Sequence, residues 1–250
     1  MRTVRALAGL AAVIVAAAGA GSAQAQAQAR VALAGAPLSG SVRLSNETTL
    51  SRYAYATLPA PVHRRPSAAS PLAGRLRFAT EDGFAEPYLL LRTAVDRSGR
   101  QWVQLRVPRR PNGRTGWVPR AALSRFHVVR TQLTINRRTL TAVLFRGGRP
   151  IWRSRVGVGK PHTPTPAGRF LVREGFRVRQ RGSIYGAYAF GTSAYSVLSD
   201  WPGGGVVGIH GTNQPGLIPG RPSHGCVRVP NRAILRLARL MPVGTPVRIV

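Results

Sequence analysis

Cys226 is the only cysteine of the 250-residue chain, and it sits in Ser223-His224-Gly225-Cys226-Val227-Arg228, downstream of Gly208-Ile209-His210-Gly211-Thr212-Asn213. Two imidazoles therefore bracket one thiol at short range. An unperturbed thiol, pKa about 8.5, is only a few per cent thiolate at neutral pH, so a nucleophilic cysteine needs an adjacent base or a lowered pKa. An imidazole supplies either. The pattern supports attack of sulfur on a carbonyl, with Cys226 as nucleophile and His210 as its base. His224 has two open roles, a second catalytic group or a hydrogen-bond partner that fixes the loop.

A nucleophile must sit on a tight, open turn whose amides point at the attacked carbonyl, and Gly225 permits that turn. The amides around Gly225 and Cys226 are expected to form the oxyanion hole, each donor being worth about 3 kcal/mol. Arg228, two positions on in a short strand, falls on the same face as Cys226 and can bind a substrate carboxylate. The chain has seven carboxylates, Glu47, Glu81, Asp82, Glu86, Asp96, Glu174 and Asp200, and none lies in either element. Proximity in sequence thus offers no Cys-His-Asp triad, although Asp200 or Glu174 can approach His210 in space.

Three rivals compete with this reading. Cys226, His210 and His224 are suitable zinc ligands, with His162 the nearest spare, but structural zinc takes four ligands and catalytic zinc usually recruits a carboxylate or third histidine. No metal is expected. A lone cysteine is also compatible with a buried, inert thiol. A wall- or polyanion-binding protein needs no thiol at all.

Together the elements resemble the L,D-transpeptidase (YkuD) signature: His210-Gly211-Thr212, then Ser223-His224-Gly225-Cys226 and Arg228. The family's upstream Thr-Pro-x-Gly-x-Phe element is matched by Thr165-Pro166-Ala167-Gly168-Arg169-Phe170, and the similarity runs from Phe126 to Val250. The resemblance implies a mainly β, mixed sandwich or barrel-like catalytic domain with one short helix near its C-terminus. In it, Cys226 would attack the amide between meso-diaminopimelate and D-alanine of a donor stem tetrapeptide, releasing D-alanine and leaving a thioester. An amine of a neighbouring stem, or of a protein, would resolve the thioester to a 3-3 crosslink or an anchored protein. The resemblance further implies that the Gly211 carbonyl holds the His210 tautomer and that Ser223, Thr212, Gly225 and Arg228 surround the substrate. Tyr185 either lines the groove or is a packed aromatic. No cofactor is implied, and carbapenems are expected to acylate Cys226. Carboxypeptidase or endopeptidase activity stays open, because water and amine acceptors differ only in how the groove admits them.

The elements that must position these residues are mostly strands. Tyr88–Thr93 and Gln101–Val107 read as strands by alternation, Pro111-Asn112-Gly113 as a turn and Gly116–Pro119 as another short strand. Residues 75–124 thus predict a small all-β module similar to bacterial SH3-like domains. Val128–Ile135, Leu140–Phe145 and Ile151–Val156 predict a meander opening the 126–250 domain. Ile234, Leu237 and Leu240 form a stripe at helical spacing, with Asn231 as N-cap and Pro242 and Gly244 as stops, and Thr245–Val250 closes as a strand. Residues 30–74, rich in Pro, Ala and Ser after Pro59, read as linker or weakly structured.

Compartment comes from the amino terminus. Two arginines within Met1–Arg5, an uncharged Ala6–Gly21 and overlapping small-x-small sites through Ala29 predict a secretory signal peptide over residues 1–29. The apolar run is shorter than the roughly 20 residues a span needs, which leaves an N-terminal membrane anchor as the lesser reading. The expected location is the periplasm or cell wall. The formal charge is +30, yet of 37 basic residues only Lys160 is lysine, a skew that looks partly like genome composition. Such a charge still attracts polyanions. Export argues against nucleic acid as the partner and for peptidoglycan stem peptides and anionic cell-wall polymers. The protein is expected to be a monomer.

Overall fold

Period-two alternation dominates the sequence, and strands dominate the computed structural model, which describes residues 41–200 and 202–250. The predicted leader lies outside the described residues. Seven strands form the first sheet: β1 (Ser51–Tyr55), β2 (Pro61–His63), β3 (Leu72–Arg75), β4 (Pro87–Val95), β5 (Gln101–Arg106), β6 (Thr115–Pro119) and β7 (His127–Val129), in the order β3-β2-β6-β5-β4-β1-β7. Its core gathers Ala54, Val62, Tyr88, Leu90, Val103, Leu105 and Val118.

The first three strands correct the reading of 30–74 as weakly structured. β1 pairs antiparallel with both β4 and β7, and β2 pairs with β3 and β6. Composition hides them because strand preference resides in cross-strand packing more than in the segment itself. The sheet therefore spans Ser51 to Val129, wider than the 75–124 module.

Ten strands form the second sheet: β8 (Thr131–Asn136), β9 (Thr141–Arg146), β10 (Arg149–Arg155), β11 (Gly157–Gly159), β12 (Gly168–Arg177), β13 (Tyr188–Tyr195), β14 (Val206–His210), β15 (Gly220–Ser223), β16 (Val227–Arg228) and β17 (Pro246–Ile249). Their order is β10-β9-β8-β17-β12-β13-β14-β16-β11-β15. The single strand expected over Val128–Ile135 is two, divided at Arg130: β7 pairs with β1 in the first sheet, β8 with β9 and β17 in the second. Leu133, Ile135, Phe170, Phe190, Ile209 and Val227 fill the core.

The predicted helix forms over Asn231–Leu240 and buries Ile234 and Leu237 on that core. Its N-cap is Pro230, without a side-chain cap, and Asn231 is the first helical residue. Asn231 is thus free to bond elsewhere.

A buried ion network joins the two sheets. The Arg173 guanidinium, fully buried in β12, donates through Nε to Glu86 Oε1 at 2.7 Å and through Nη2 to the second Glu86 oxygen, and it pairs with Glu81 at 2.8 Å. Tyr195 donates to Glu81 at 2.6 Å, and the Phe84 and Phe176 rings stack with centroids 5.7 Å apart.

Candidate active site

Strand register brings thiol and imidazole together. β14 runs antiparallel to β13 and parallel to β16, with Ile209 opposite Val227 and His210 opposite Arg228. Cys226, one residue before Val227, therefore lies beside Gly208, whose N–H donates to Sγ at 3.3 Å. A Cβ on Gly208 would sit 3.6 Å from His210 Cδ2 and 3.8 Å from Cys226 Sγ, so both functional side chains border this glycine.

His210 is 4% exposed, and its Nδ1–H donates to the Gly211 carbonyl at 2.6 Å. That bond fixes the tautomer and leaves Nε2 as the acceptor, as a base requires. The Tyr185 ring meets the imidazole edge-on at 4.9 Å. Burial lowers the His210 pKa to about 4, with the Arg228 charge adding and the Gly211 carbonyl opposing. Burial pushes the Cys226 thiol up, against the Gly208 N–H and the Arg228 charge, which favour the thiolate. Both shifts favour a neutral thiol beside a neutral imidazole.

The turn carrying Cys226 is bonded at nearly every backbone group. Ser223 Oγ donates to the Cys226 carbonyl at 2.6 Å and accepts from the Gly225 N–H at 3.2 Å. Thr165 Oγ1, from the Thr-Pro-x-Gly-x-Phe element, donates to the Gly225 carbonyl at 2.7 Å and accepts from the Gly159 N–H at 2.9 Å. Ser196 Oγ donates to the His224 carbonyl at 3.2 Å. Gly225 adopts φ +126°, which glycine alone adopts without strain.

These bonds occupy polar groups of three residues expected to meet substrate. The Gly225 amide is committed to Ser223, while the Cys226 N–H meets no acceptor among the described residues. The Ser223 hydroxyl is committed within the turn. Thr212 is 1% exposed, and its hydroxyl accepts from the Gln214 N–H at 3.0 Å within its own loop. The reason is common to all three: buried polar groups take their nearest partners.

Other expected residues do reach the site. His224, exposed, and Arg228 line a narrow cleft with His210 and Cys226. Arg228 donates to Gln214 at 2.9 Å, and its buried Nε has no partner among the described residues. Tyr185 lines this cleft and also an adjoining cavity of about 280 Å³, which Asp82, Phe176, Phe190 and Cys226 help to enclose. Burial raises the Tyr185 pKa. Neither carboxylate candidate orients His210: Glu174 accepts from Thr80 Oγ1, and Asp200 is exposed. Among the described residues no group of three or more His, Cys, Asp or Glu is placed to hold a metal ion.

Sequence reading missed Gly208, Asp82 and Asn231. Asn231 Oδ1 accepts from the Ala187 and Thr212 N–H groups at 3.0 and 3.1 Å, and Nδ2 donates to the Thr212 carbonyl at 2.9 Å. Gly186 and Gly211 make room for it, since a Cβ on either would come within 2.2 Å of Oδ1. The one available signal was an Asn opening a helix next to Pro230.

A mainly β domain whose sheet seats a thiol against a tautomer-fixed imidazole defines the class. Residues 130–249 match the family model described as L,D-transpeptidase catalytic domain. The YkuD protein of Bacillus licheniformis is 36% identical over 120 residues, 48% of this chain and 64% of that protein. That of Bacillus subtilis is 35% identical over 117 residues, 47% of this chain and 63% of the relative. The match therefore spans less than two thirds of either relative. Among solved structures, the Enterococcus faecium L,D-transpeptidase catalytic domain is similar at 23% identity and TM-score 0.38, covering 48% of this chain and 96% of that one. The Mycobacterium smegmatis L,D-transpeptidase is similar at 14% identity and TM-score 0.42, covering 77% and 100%.

Proposed function

We propose that the protein is an exported L,D-transpeptidase that acylates Cys226 with a peptidoglycan stem peptide. As Sγ attacks the carbonyl of the penultimate residue, its proton passes to His210 Nε2, and the Cys226 N–H receives the negative charge developing on oxygen. Collapse breaks the C–N bond, His210 returns the proton to the leaving amine, and D-alanine departs. An acceptor amine then gives its proton to the same Nε2 as it attacks the thioester, and sulfur leaves with a proton. The product is a 3-3 crosslink or an anchored protein. Arg228 holds a substrate carboxylate through its guanidinium.

The observation that carries this reading is the Gly208 N–H on Cys226 Sγ with His210 locked by Gly211 beside it. No cofactor takes part, and carbapenems acylate the same sulfur. The test is mass spectrometry of the purified protein incubated with disaccharide-tetrapeptide, with and without a carbapenem. Adducts confined to Cys226, and loss of both products in Cys226→Ala, are expected. Turnover by Cys226→Ala, or an adduct on another residue, overturns the proposal.

A further inference from the structure

A second concavity, about 580 Å³, opens where the first sheet meets Tyr195 of the second and the turn at Gly204. Arg75, Arg77, Arg109 and Arg110 line it against one carboxylate, Glu81. Two of these arginines are committed. Arg77 pairs with Glu81 at 3.0 Å and Glu86 at 3.1 Å, and Arg110 donates to the carbonyls of Gly204, Ser196 and Leu198 at 2.7 to 2.9 Å.

The other two are not. The guanidinium groups of Arg75 and Arg109 make no hydrogen bond or ion pair among the described residues, and both residues are exposed. Arg109 lies across Gly74, where a Cβ would stand 3.1 Å from its Nη1, so the glycine leaves room for the guanidinium in this position. Two uncommitted guanidinium groups on the lining of one concavity favour an anion there, and the planar fork matches phosphate and carboxylate alike. A concavity with four arginines against one carboxylate carries a net positive field and raises the local concentration of anions. The volume is that of an ordinary ligand site. Leu72, Val107 and Pro108 give it an apolar lining, which suits the face of a sugar or polyol better than a bare ion.

We infer that this concavity binds an acidic saccharide or polyol unit of a surface polymer, its phosphate or carboxylate shared between Arg75 and Arg109. This site does not depend on the chemistry of Cys226. Its far wall is the 203–204 turn, whose Gly203 lines the cavity of the thiol, so a polymer held here runs beside the catalytic groove.

The test is titration calorimetry of the purified full chain against an oligo(glycerol phosphate), an oligogalacturonate of similar length and neutral dextran. Saturable binding of at least one acidic oligomer, and none of dextran, is expected; which acid binds tells a phosphate source from a carboxylate one. Arg75→Ser/Arg109→Ser should weaken binding roughly tenfold or more, whereas Arg153→Ser/Arg155→Ser, an equal charge loss on exposed β10, should change it less than about twofold. Equal weakening in both variants, or no saturable binding, overturns the inference. Should the first variant fold poorly, phenylglyoxal footprinting of the unaltered protein decides: bound oligomer protects residues 75 and 109, and unchanged labelling of both refutes the site.

Discussion

Asn231 and Thr212 exchange two hydrogen bonds, Thr212 N–H to Oδ1 at 3.1 Å and Nδ2 to the Thr212 carbonyl at 2.9 Å, so the first residue of the helix holds the strand-end loop that begins at Gly211. The Gly211 carbonyl in turn fixes His210. Asn231→Ala leaves two N–H groups and a carbonyl without partners, at about 1–3 kcal/mol of stability. Donor acylation should slow more than donor affinity falls, since the variant loosens the imidazole and leaves the groove intact. Asn231→Asp keeps the acceptor and should recover part of the rate. Thermal melting with kcat and KM checks both; a fall in stability with kcat unchanged assigns Asn231 a structural role alone.

The resting state of the Cys226–His210 pair sets a pH dependence. Burial lowers the imidazole to about 4 and raises the thiol, so the base is unprotonated throughout the neutral range. The acid limb of kcat/KM should therefore fall near pH 4 and not near the ordinary histidine value of about 6.5. Iodoacetamide alkylation of Cys226 should keep rising beyond the free-cysteine midpoint of about 8.5. A rate plateau at neutral pH would mean a thiolate–imidazolium pair and refute the neutral one.

How far the sequence discloses this site depends on the range of each interaction. Cys226, His210 and Arg228 could be proposed from the sequence because they lie in two short elements whose chemistry is local, and the Gly211 carbonyl came from the family resemblance that those elements carry. Thr165 was legible as part of a pattern, yet its bond to the Gly225 carbonyl spans sixty positions, which no spacing reveals. β1 to β3 were not legible, because partners such as Leu89 and Trp117 make them strands and their own composition does not. Asn231 looked like a cap because caps are the commonest use of Asn before an apolar stripe. Its side chain turns instead to a loop on the other side of the site, a choice made by Gly186 and Gly211.

Gly208 separates space from stability. Its Cβ position meets the Phe190 carbonyl at 3.4 Å, His210 Cδ2 at 3.6 Å and Cys226 Sγ at 3.8 Å, all ordinary contacts. Gly208→Ala should then fold with stability changed by less than about 1 kcal/mol. The methyl nevertheless borders both reacting groups, and a displacement of about 1 Å costs about 100-fold in rate. Melting curves with burst kinetics of carbapenem acylation check this; an acylation rate equal to that of the parent protein refutes the close apposition.

Glu86 and Arg173 tie the sheets together at a site without water access. Glu86→Ala strands a fully buried guanidinium that retains only Glu81, and about 3 kcal/mol of stability should be lost. Arg173→Met/Glu86→Leu removes both charges and should recover most of the loss. Urea denaturation measures both. A double variant no more stable than Glu86→Ala would show that the ions specify the joint in a way apolar packing cannot replace.

Glu174 gives the joint a pH response of defined sign. Burial raises its carboxyl from 4.5 to about 7, the neighbouring Asp82 adding while Thr80 and Arg173 oppose. The folded state thus holds a proton that the unfolded chain has released between about pH 4.5 and 7, so stability falls as pH rises through that window. Glu174→Gln cannot ionise and loses this slope. The stability of the variant relative to the parent should therefore climb across the window and level off above it. Asp82→Asn, which removes the adjacent charge from the wall of the thiol cavity, should move the parent's descent to lower pH. Denaturation series across the window test both expectations; a difference between Glu174→Gln and parent that is constant with pH, or that shrinks as pH rises, would show that Glu174 is ionised in the fold.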